Sequence, residues 1–301
     1  MEEIISLIIP IYNEEENIQK LNSSIKEALN NINYEVIYVD DGSKDKSFEK
    51  LKELSNDEKV KIIKFSRNFG QTAALQAGID LAKGDVIVPL DADLQNDPKD
   101  IPAMLEIYRQ GFDIVSGWRK KRYDNIIRVI PSKIANFIIS NLTNVKIHDF
   151  GCTLKIYNAK LLKKVNLYGE LHRFIPALVS MYGNKITEVQ VTHHPRVFGQ
   201  SKYNLSRTKR VLMDLFTIWF LIRYKDRPMY FFGTSAFWTF ILSILCLIAG
   251  LYISSNFFIL SCAMFLLTFI NLGFGLIAEM LMRTQYESQN KRVYNIESVI
   301  E

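Results

Sequence analysis

The sequence predicts an α/β domain with a mostly parallel sheet, joined to a C-terminal hairpin of two transmembrane helices. Three observations predict it. Across the first 117 residues, short apolar runs alternate with segments of helical periodicity. Two of those runs end in closely spaced acids, Asp40-Asp41 and Asp91-Ala92-Asp93. From Pro228 to Ala278 the chain carries no charged residue in 51 positions.

The runs of strand character cover 4–9, 34–39, 60–65, 85–90 and 112–116. Between the first two, Ile18, Leu21, Ile25, Leu29 and Ile32 recur at helical spacing. The fourth helix starts at Asn96-Asp97-Pro98, a cap followed by proline in the first turn. Continuous apolar strands alternating with helices argue for a sheet covered on both faces. Such sheets bind ligands beyond the carboxyl ends of their strands. Both acid pairs sit at carboxyl ends, so they converge on one crevice. A short strand pair near 154–157 and 185–192 is expected to complete the sheet.

Two later stretches differ in character. One, 128–145, carries Ile130, Ile134, Phe137, Ile138 and Leu142 on one face. The other, 205–224, is basic at its start and rich in aromatic and aliphatic residues at its end. Periodicity alone allows either core helices or helices lying in a membrane interface. The hairpin that follows favours the interface.

A bilayer core takes about 20 apolar residues per helix. The uncharged stretch therefore accommodates spans at 229–253 and 257–281, with a turn at Ser254-Ser255-Asn256; the competing reading is an apolar hairpin buried in a protein core. Arg223, Lys225 and Arg227 precede the first span and Arg283 follows the second. By the positive-inside bias both ends face the cytoplasm, as expected of a multi-pass inner (cytoplasmic) membrane protein. Met1-Glu2-Glu3-Ile4 is acidic, so no signal peptide is expected. The residues after Gln285 are polar, and a loose tail is expected there. Of three cysteines, two lie in the spans and Cys152 stands alone, which excludes a disulfide framework or a CxxC metal site. The net charge is only +5. Its basic clusters, Arg119-Lys120-Lys121-Arg122 and Arg207/Lys209/Arg210, adjoin apolar helical stretches and suit an anionic membrane surface. With no base-reading motif beside them, nucleic acid is not an expected partner.

Four constellations carry chemistry. Asp91-Ala92-Asp93-Leu94-Gln95, just past a buried strand, is a hard-oxygen site suited to Mg²⁺ or Mn²⁺ bridging a diphosphate. Asp40-Asp41-Gly42-Ser43 offers acids that can accept hydrogen bonds from a base or from ribose hydroxyls; the alternative reading is a simple helix cap. Pro10-Ile11-Tyr12-Asn13-Glu14-Glu15 pairs a helix-start pattern with a tyrosine ring able to stack on a base. Arg67-Asn68-Phe69-Gly70-Gln71 either approaches the diphosphate or forms a turn.

Together these segments resemble the inverting nucleotide-sugar glycosyltransferases of family 2, which have the GT-A (Rossmann-like, mostly parallel sheet) fold. Asp149-Phe150-Gly151-Cys152, Glu170-Leu171-His172-Arg173-Phe174 and the run from His194 to Tyr203 are similar to the polyprenyl-phosphate glycosyltransferases, the bactoprenol and dolichyl-phosphate enzymes. The resemblance spans roughly 4–282. It implies that Pro10, Tyr12, Glu14, Asp40, Asp41 and Asp91 hold the nucleotide. It implies Asp91, Asp93 and Gln95 as ligands of Mg²⁺ or Mn²⁺. Arg119, Arg128, Ser132, Arg196 and Lys202 would grip the acceptor phosphate. Arg128 and Ser132 are also four apart, hence on one helical face. His172 and Arg173 would meet the sugar or the acceptor, or merely start a helix. Arg119–Arg122 could also be a solvated charge run.

The catalytic set would be Asp149, Asp93 and Arg196, with Asp149 as base or orienter. The implied organisation is a catalytic domain at 1–204 including the helix 128–145, a juxtamembrane helix at 205–227, two spans within 228–282 and a cytoplasmic tail at 283–301. The implied reaction moves a sugar, on analogy from a UDP donor, to undecaprenyl or another polyprenyl phosphate at the membrane, with inversion. Rival readings are a processive polysaccharide synthase, whose Gln-x-x-Arg-Trp motif is absent from this chain, and a non-catalytic nucleotide-binding membrane scaffold. Whether the chain forms a homo-oligomer is left open.

Overall fold

The structure, a computed structural model, describes residues 3–120, 140, 145–169, 171–183, 185–195, 217, 219–220, 223–224, 227–287 and 294–300. The described elements are β1 (Ile5–Ile11), α1 (Ile18–Ala28), β2 (Tyr34–Asp40), α2 (Ser47–Glu53), β3 (Val60–Phe65), α3 (Gln71–Leu81), β4 (Val86–Pro89), α4 (Ile101–Tyr108), β5 (Ile114–Trp118), β6 (Lys155–Asn158), α5 (Ala159–Leu162), α6 (Ile175–Val179), β7 (Ile186–Gln190), α7 (Pro228–Tyr252), α8 (Asn256–Glu287) and β8 (Ile296–Ile300). They divide into two compact units, residues 1–216 with 292–301, and residues 217–291.

The first unit is built on a sheet ordered β7-β5-β6-β4-β1-β2-β3-β8. β1 pairs in parallel with β2 and β4, β2 with β3, and β5 with β7. β1 and β2 are buried almost throughout, as strands covered on both faces must be. α1 turns Ile18, Leu21 and Ile25 onto one face of the sheet, where each is fully buried. The start of the fourth helix is as the sequence indicates: Asp97 accepts from the Lys99 N–H at 3.0 Å, Pro98–Asp100 forms a 3₁₀ turn, and α4 follows.

Two expectations need correction. β6 and β7 do not pair with each other: β5 lies between them, antiparallel to β6 and parallel to β7. The described part of the tail, residues 294–300, is not loose. After α8 the chain returns to the sheet and β8 lies antiparallel on β3, with Ile63 opposite Val299. Tyr294 is buried, stacks on Phe65 with ring centroids 5.3 Å apart, and donates its hydroxyl to Asp80 Oδ2 at 2.6 Å. Lys64 reaches Glu297 at 2.8 Å. An otherwise bare edge is thereby covered.

Near the amino end of β1, away from the carboxyl edge, a buried polar network ties three strands. Glu35 accepts from Ser6 Oγ at 2.6 Å, Lys61 Nζ at 2.5 Å and the Lys83 N–H at 2.6 Å.

The second unit is a helical hairpin. Pro228–Tyr252 and Asn256–Leu281 are each long and apolar enough to cross a membrane, with mean hydropathies of 2.0 and 2.2. Large apolar side chains face outward, among them Trp238, Tyr252 and Ile259. A hairpin buried in a protein core would hide these faces. Between the helices, Ser243 and Ser261 exchange hydrogen bonds with each other's carbonyls at 3.0 and 2.9 Å, satisfying polar groups internally. The helices expected over 128–145 and 205–227 fall mainly outside the described residues.

Candidate active site

Three loops leave the carboxyl edge of the sheet and lock together. Asn13, following β1, adopts φ 56°. Its N–H donates to Ser43 Oγ at 3.0 Å, and its Oδ1 accepts from the Lys44 N–H at 2.8 Å. The Glu14 N–H donates to Ser47 Oγ at 2.9 Å, and Glu15 accepts from the Lys46 N–H at 2.9 Å. The Asn-Glu-Glu and Asp-Gly-Ser motifs are thus two halves of one interlocked turn. Pro10 and Tyr12 lie half-buried where β1 ends.

Gly42 sits at φ 68°, and a Cβ there would lie 2.5 Å from the Arg67 carbonyl carbon. Only glycine permits that approach. Asp41 uses it: its carboxylate accepts from the N–H groups of Phe69 at 2.6 Å and Gly70 at 2.9 Å, at the start of α3. Asp40 is fully buried and accepts from the Ser43 N–H at 3.2 Å through Oδ1. Its Oδ2 has no hydrogen-bond partner among the described residues. Burial pushes both carboxyls above the ordinary aspartate value. A buried acceptor without a donor is costly, and a ligand N–H or O–H would satisfy it.

Asp91 follows β4. Gln71 Nε2 donates to its Oδ1 at 2.9 Å, and Thr153 Oγ1 donates to its Oδ2 at 2.5 Å. Burial, then the neighbouring charge of Asp93, pushes the Asp91 carboxyl up to about 6. Leu94, the residue after Asp93, has φ 58°, a conformation that costs energy for a side chain of this type and recurs at functional loops. Among the described residues no three His, Cys, Asp or Glu side chains gather into a metal site. Two neighbouring carboxylates, Asp91 and Asp93, with Gln95 two residues on, suit a hard cation that takes its remaining ligands from a diphosphate and water.

Beyond these acids the chain meets a distant segment. The His194 N–H donates to the Gln95 carbonyl at 2.8 Å, Asn96 and His193 form an antiparallel bridge, and His194 Nε2 lies 3.1 Å from Asp97 Oδ2. His193 and His194, just before Arg196 in sequence, are thereby fastened to the residues that follow Asp93.

Just past the carboxyl end of β5, Arg119 donates from Nε to Asp149 Oδ2 at 2.8 Å and from Nη2 to Oδ1 at 3.1 Å. Asp149 is buried and also accepts from the Gly151 N–H at 3.1 Å. One residue earlier on each segment, the rings of Trp118 and His148 stack 4.7 Å apart. His172, in the 3₁₀ turn Leu171–Phe174, meets Thr72 Oγ1 at 2.7 Å, and Arg173 follows it half-buried. Arg128, Ser132, Arg196 and Lys202 lie outside the described residues.

Three residues that the sequence reading assigned no role touch this site: Thr72, Thr153 and Lys155. Gln71, which also touches it, closes a motif already singled out. Lys155 leaves one signal, a lone charge inside the strand-like run Leu154-Lys155-Ile156-Tyr157. Thr153 leaves none.

Comparison with known proteins fits this arrangement. Residues 6–165 match the model of Glycosyl transferase family 2. The chain is 41% identical to dodecaprenyl-phosphate galacturonate synthase of Rhizobium johnstonii, over 99% of this chain and 93% of that protein. It is 38% identical to undecaprenyl-phosphate 4-deoxy-4-formamido-L-arabinose transferase of Aeromonas hydrophila, over 71% of this chain and 67% of that protein. Among solved structures, glucosyl-3-phosphoglycerate synthase of Mycobacterium tuberculosis, crystallised with Mn²⁺, UDP and glucosyl-3-phosphoglycerate, superposes with a TM-score of 0.59 at 14% identity, covering 72% of this chain and 79% of that one. That likeness is one of fold, and the fold is GT-A. With its acid-tipped parallel sheet and these relatives, the chain belongs to glycosyl transferase family 2 and is a glycosyltransferase.

Proposed function

We propose that the enzyme transfers a hexose from a UDP-sugar to a polyprenyl phosphate such as undecaprenyl phosphate, with inversion at the anomeric carbon. The observation that carries this reading is the fastening of His193 and His194 onto Gln95–Asp97. It sets the approach to the basic Arg196–Lys202 segment against the segment leaving the Asp91–Asp93 carboxylates. Acids able to hold a cation, tied to a segment that leads in sequence into a basic run, suit a diphosphate donor meeting a phosphate acceptor. The relatives named for dodecaprenyl- and undecaprenyl-phosphate support the acceptor class.

In this scheme Asp40, whose buried Oδ2 has no hydrogen-bond partner among the described residues, receives an N–H or hydroxyl of the nucleoside, while Tyr12 offers a stacking face. Asp41 contributes indirectly by holding the Phe69 and Gly70 amides. Asp91 and Asp93, with Gln95 beside them, would hold Mg²⁺ or Mn²⁺, and such an ion when bound offsets charge building on the departing diphosphate. An acceptor phosphate oxygen displaces that diphosphate in line at the anomeric carbon. A phosphate monoester has a second pKa of about 6, so near neutral pH it is already an anionic nucleophile and needs no strong base. Asp149, with both oxygens committed to Arg119, acts as orienter. Arg119, Arg128, Ser132, Arg196 and Lys202 hold the acceptor phosphate, and His172 and Arg173 face the sugar.

Placement follows from the hairpin and from β8. Residues on both sides of the two apolar helices belong to the sheet-bearing unit. That arrangement needs an even number of crossings and supports a multi-pass inner-membrane protein with catalytic unit and C-terminus both cytoplasmic. Of the domain limits inferred from sequence, those of the catalytic domain and the two spans are kept, while residues 292–301 join the sheet-bearing unit and not a separate tail.

The test is a transfer assay. Membranes carrying the chain receive undecaprenyl phosphate, a divalent cation and a panel of radiolabelled nucleotide sugars. UDP-galacturonate comes first, because one relative is named for that sugar. Label entering the lipid phase from one donor, with the anomeric configuration inverted, is the expected result. An α-linked product from an α-linked donor would exclude in-line displacement. Polymer formation would favour a processive synthase, and nucleotide binding without transfer would favour a scaffold.

A further inference from the structure

We propose that Lys155 and Thr153 form an internal staple, positioning Asp149 toward the acceptor and Asp91 toward the cation as a single unit. Lys155 opens β6 and is only 3% exposed. Its ammonium donates to the carbonyl of Phe150 at 3.2 Å and to the carbonyl of Cys152. Both carbonyls belong to the short segment that begins at Asp149 and ends at Thr153. At one end of that segment Asp149 takes the fork of Arg119. At the other end the Thr153 hydroxyl donates to Asp91 Oδ2. Lys155 thus holds the middle while one end reaches Arg119 and the other Asp91.

Space filling does not account for a lysine here. A long side chain of this type usually runs its ammonium out to water. Burying the ammonium is costly unless it is hydrogen-bonded, and a methionine would fill the same volume without that cost. What the charge adds is a fixed path for the 149–153 backbone, since two of its carbonyls converge on one donor group. The same ammonium lies near both Asp149 and Asp91, and burial holds its pKa below the ordinary lysine value. Gln71 completes the arrangement by holding the other oxygen of Asp91. Asp91 then enters the crevice in one orientation, whether or not a ligand is present.

The inference rests on the cation–diphosphate reading of the Asp91–Asp93 site, and the experiment separates the two. Binding of Mn²⁺ in the presence of UDP is followed by the electron paramagnetic resonance of free Mn²⁺, using the full-length chain in detergent. Wild type, Thr153→Val, Thr153→Ser and Lys155→Met are compared, with KM for undecaprenyl phosphate measured in parallel. Loss of a hydrogen bond to a charged group corresponds to roughly a tenfold change in affinity. Thr153→Val should therefore weaken Mn²⁺ binding about tenfold with little change in KM for the lipid, and Thr153→Ser should retain wild-type binding. Lys155→Met should move both quantities together. Wild-type Mn²⁺ affinity in Thr153→Val, or a Lys155→Met protein that loses thermal stability while both quantities stay fixed, would overturn the staple. Should Lys155→Met not fold, the threonine pair decides alone. Absence of UDP-dependent Mn²⁺ binding in wild type would overturn the underlying reading itself, and the staple with it.

Discussion

Arg119 engages Asp149 through two parallel hydrogen bonds, at 2.8 and 3.1 Å, and the carboxylate is buried beneath the pair. A forked contact of this kind fixes orientation as well as distance. It also argues against the role of base, because a carboxylate engaged through both oxygens is a poor proton acceptor. The expected outcome for Asp149→Asn is a fall in turnover of tenfold or more, with the nucleotide-sugar KM little changed. The pH profile discriminates the roles. For an orienter, the variant's curve has the same shape as the wild-type curve at lower height; for a base, it loses a limb.

The approach of Arg67 to Gly42 makes a second prediction. Gly42→Ala places a methyl group 2.5 Å from the Arg67 carbonyl carbon at a positive φ. Strain of that sort costs about 1–3 kcal/mol. The Asp41 contacts to Phe69 and Gly70 are displaced with it. Denaturant unfolding should show the loss of stability, and titration calorimetry with UDP should show weaker binding in the protein that remains folded.

How far the sequence reveals this molecule depends on the range of the contacts involved. β1 to β5 are legible because continuous apolar runs have few other fates, and Asp91-Ala92-Asp93 stands out because carboxylates follow one of those runs directly. Tertiary choices are less visible. That β5 separates β6 from β7 is a matter of register between distant segments. The bond from Thr153 to Asp91 joins residues 62 apart, and neither residue's neighbours hint at it. β8 is obscured for a different reason. It is a five-residue edge strand in which exposed Glu297 and Val299 alternate with half-buried Ile296, Ser298 and Ile300. Against the polar residues around it, that alternation is too short to register. Tyr294 is the better clue, an aromatic residue in a polar tail.

The tail predicts its own phenotype. Tyr294→Phe keeps the stack on Phe65 and removes the hydroxyl bond to Asp80. A single hydrogen bond contributes about 1 kcal/mol, so Tm should fall by roughly 2–4 °C. Deleting residues 294–301 should do more, because it bares the β3 edge and its unpaired backbone groups. Light scattering of the detergent-solubilised chain should detect self-association in the deletion and not in Tyr294→Phe.

At the far end of the sheet, Glu35 provides a pH test of stability unconnected with catalysis. Burial alone would raise its pKa, but hydrogen bonds from Lys61, Ser6 and the Lys83 amide outweigh burial and hold it below the usual 4.5. A depressed carboxylate stabilises the fold above the unfolded-state value, and that contribution is lost as pH falls through the folded-state value. Glu35→Gln leaves Lys61 buried with a neutral partner, which costs about 3 kcal/mol near neutral pH. The gap between wild type and variant should be constant from pH 8 down to about 5 and should narrow below 4.5. Urea unfolding at several pH values checks it; a gap that widens in acid would show that the pair does not carry the stabilisation.

Membrane dependence needs a test that respects β8. A chain cut after residue 227 loses both apolar helices and the strand that covers β3, so weak activity would have two causes. Replacing residues 228–293 with a flexible Gly/Ser linker of about 20 residues, whose root-mean-square reach is roughly 25 Å, removes the helices while leaving Tyr294 and β8 attached. With Asp40, Asp41 and the Asp91 contacts intact, UDP affinity should match that of the full chain. Use of undecaprenyl phosphate in vesicles should fall by at least tenfold, because the acceptor's phosphate stays at the headgroup level. A short, water-soluble polyprenyl phosphate should be used nearly as well as before. Equal use of the long acceptor by both chains would assign the helices to tethering alone, and loss of UDP binding would show that they support the nucleotide site.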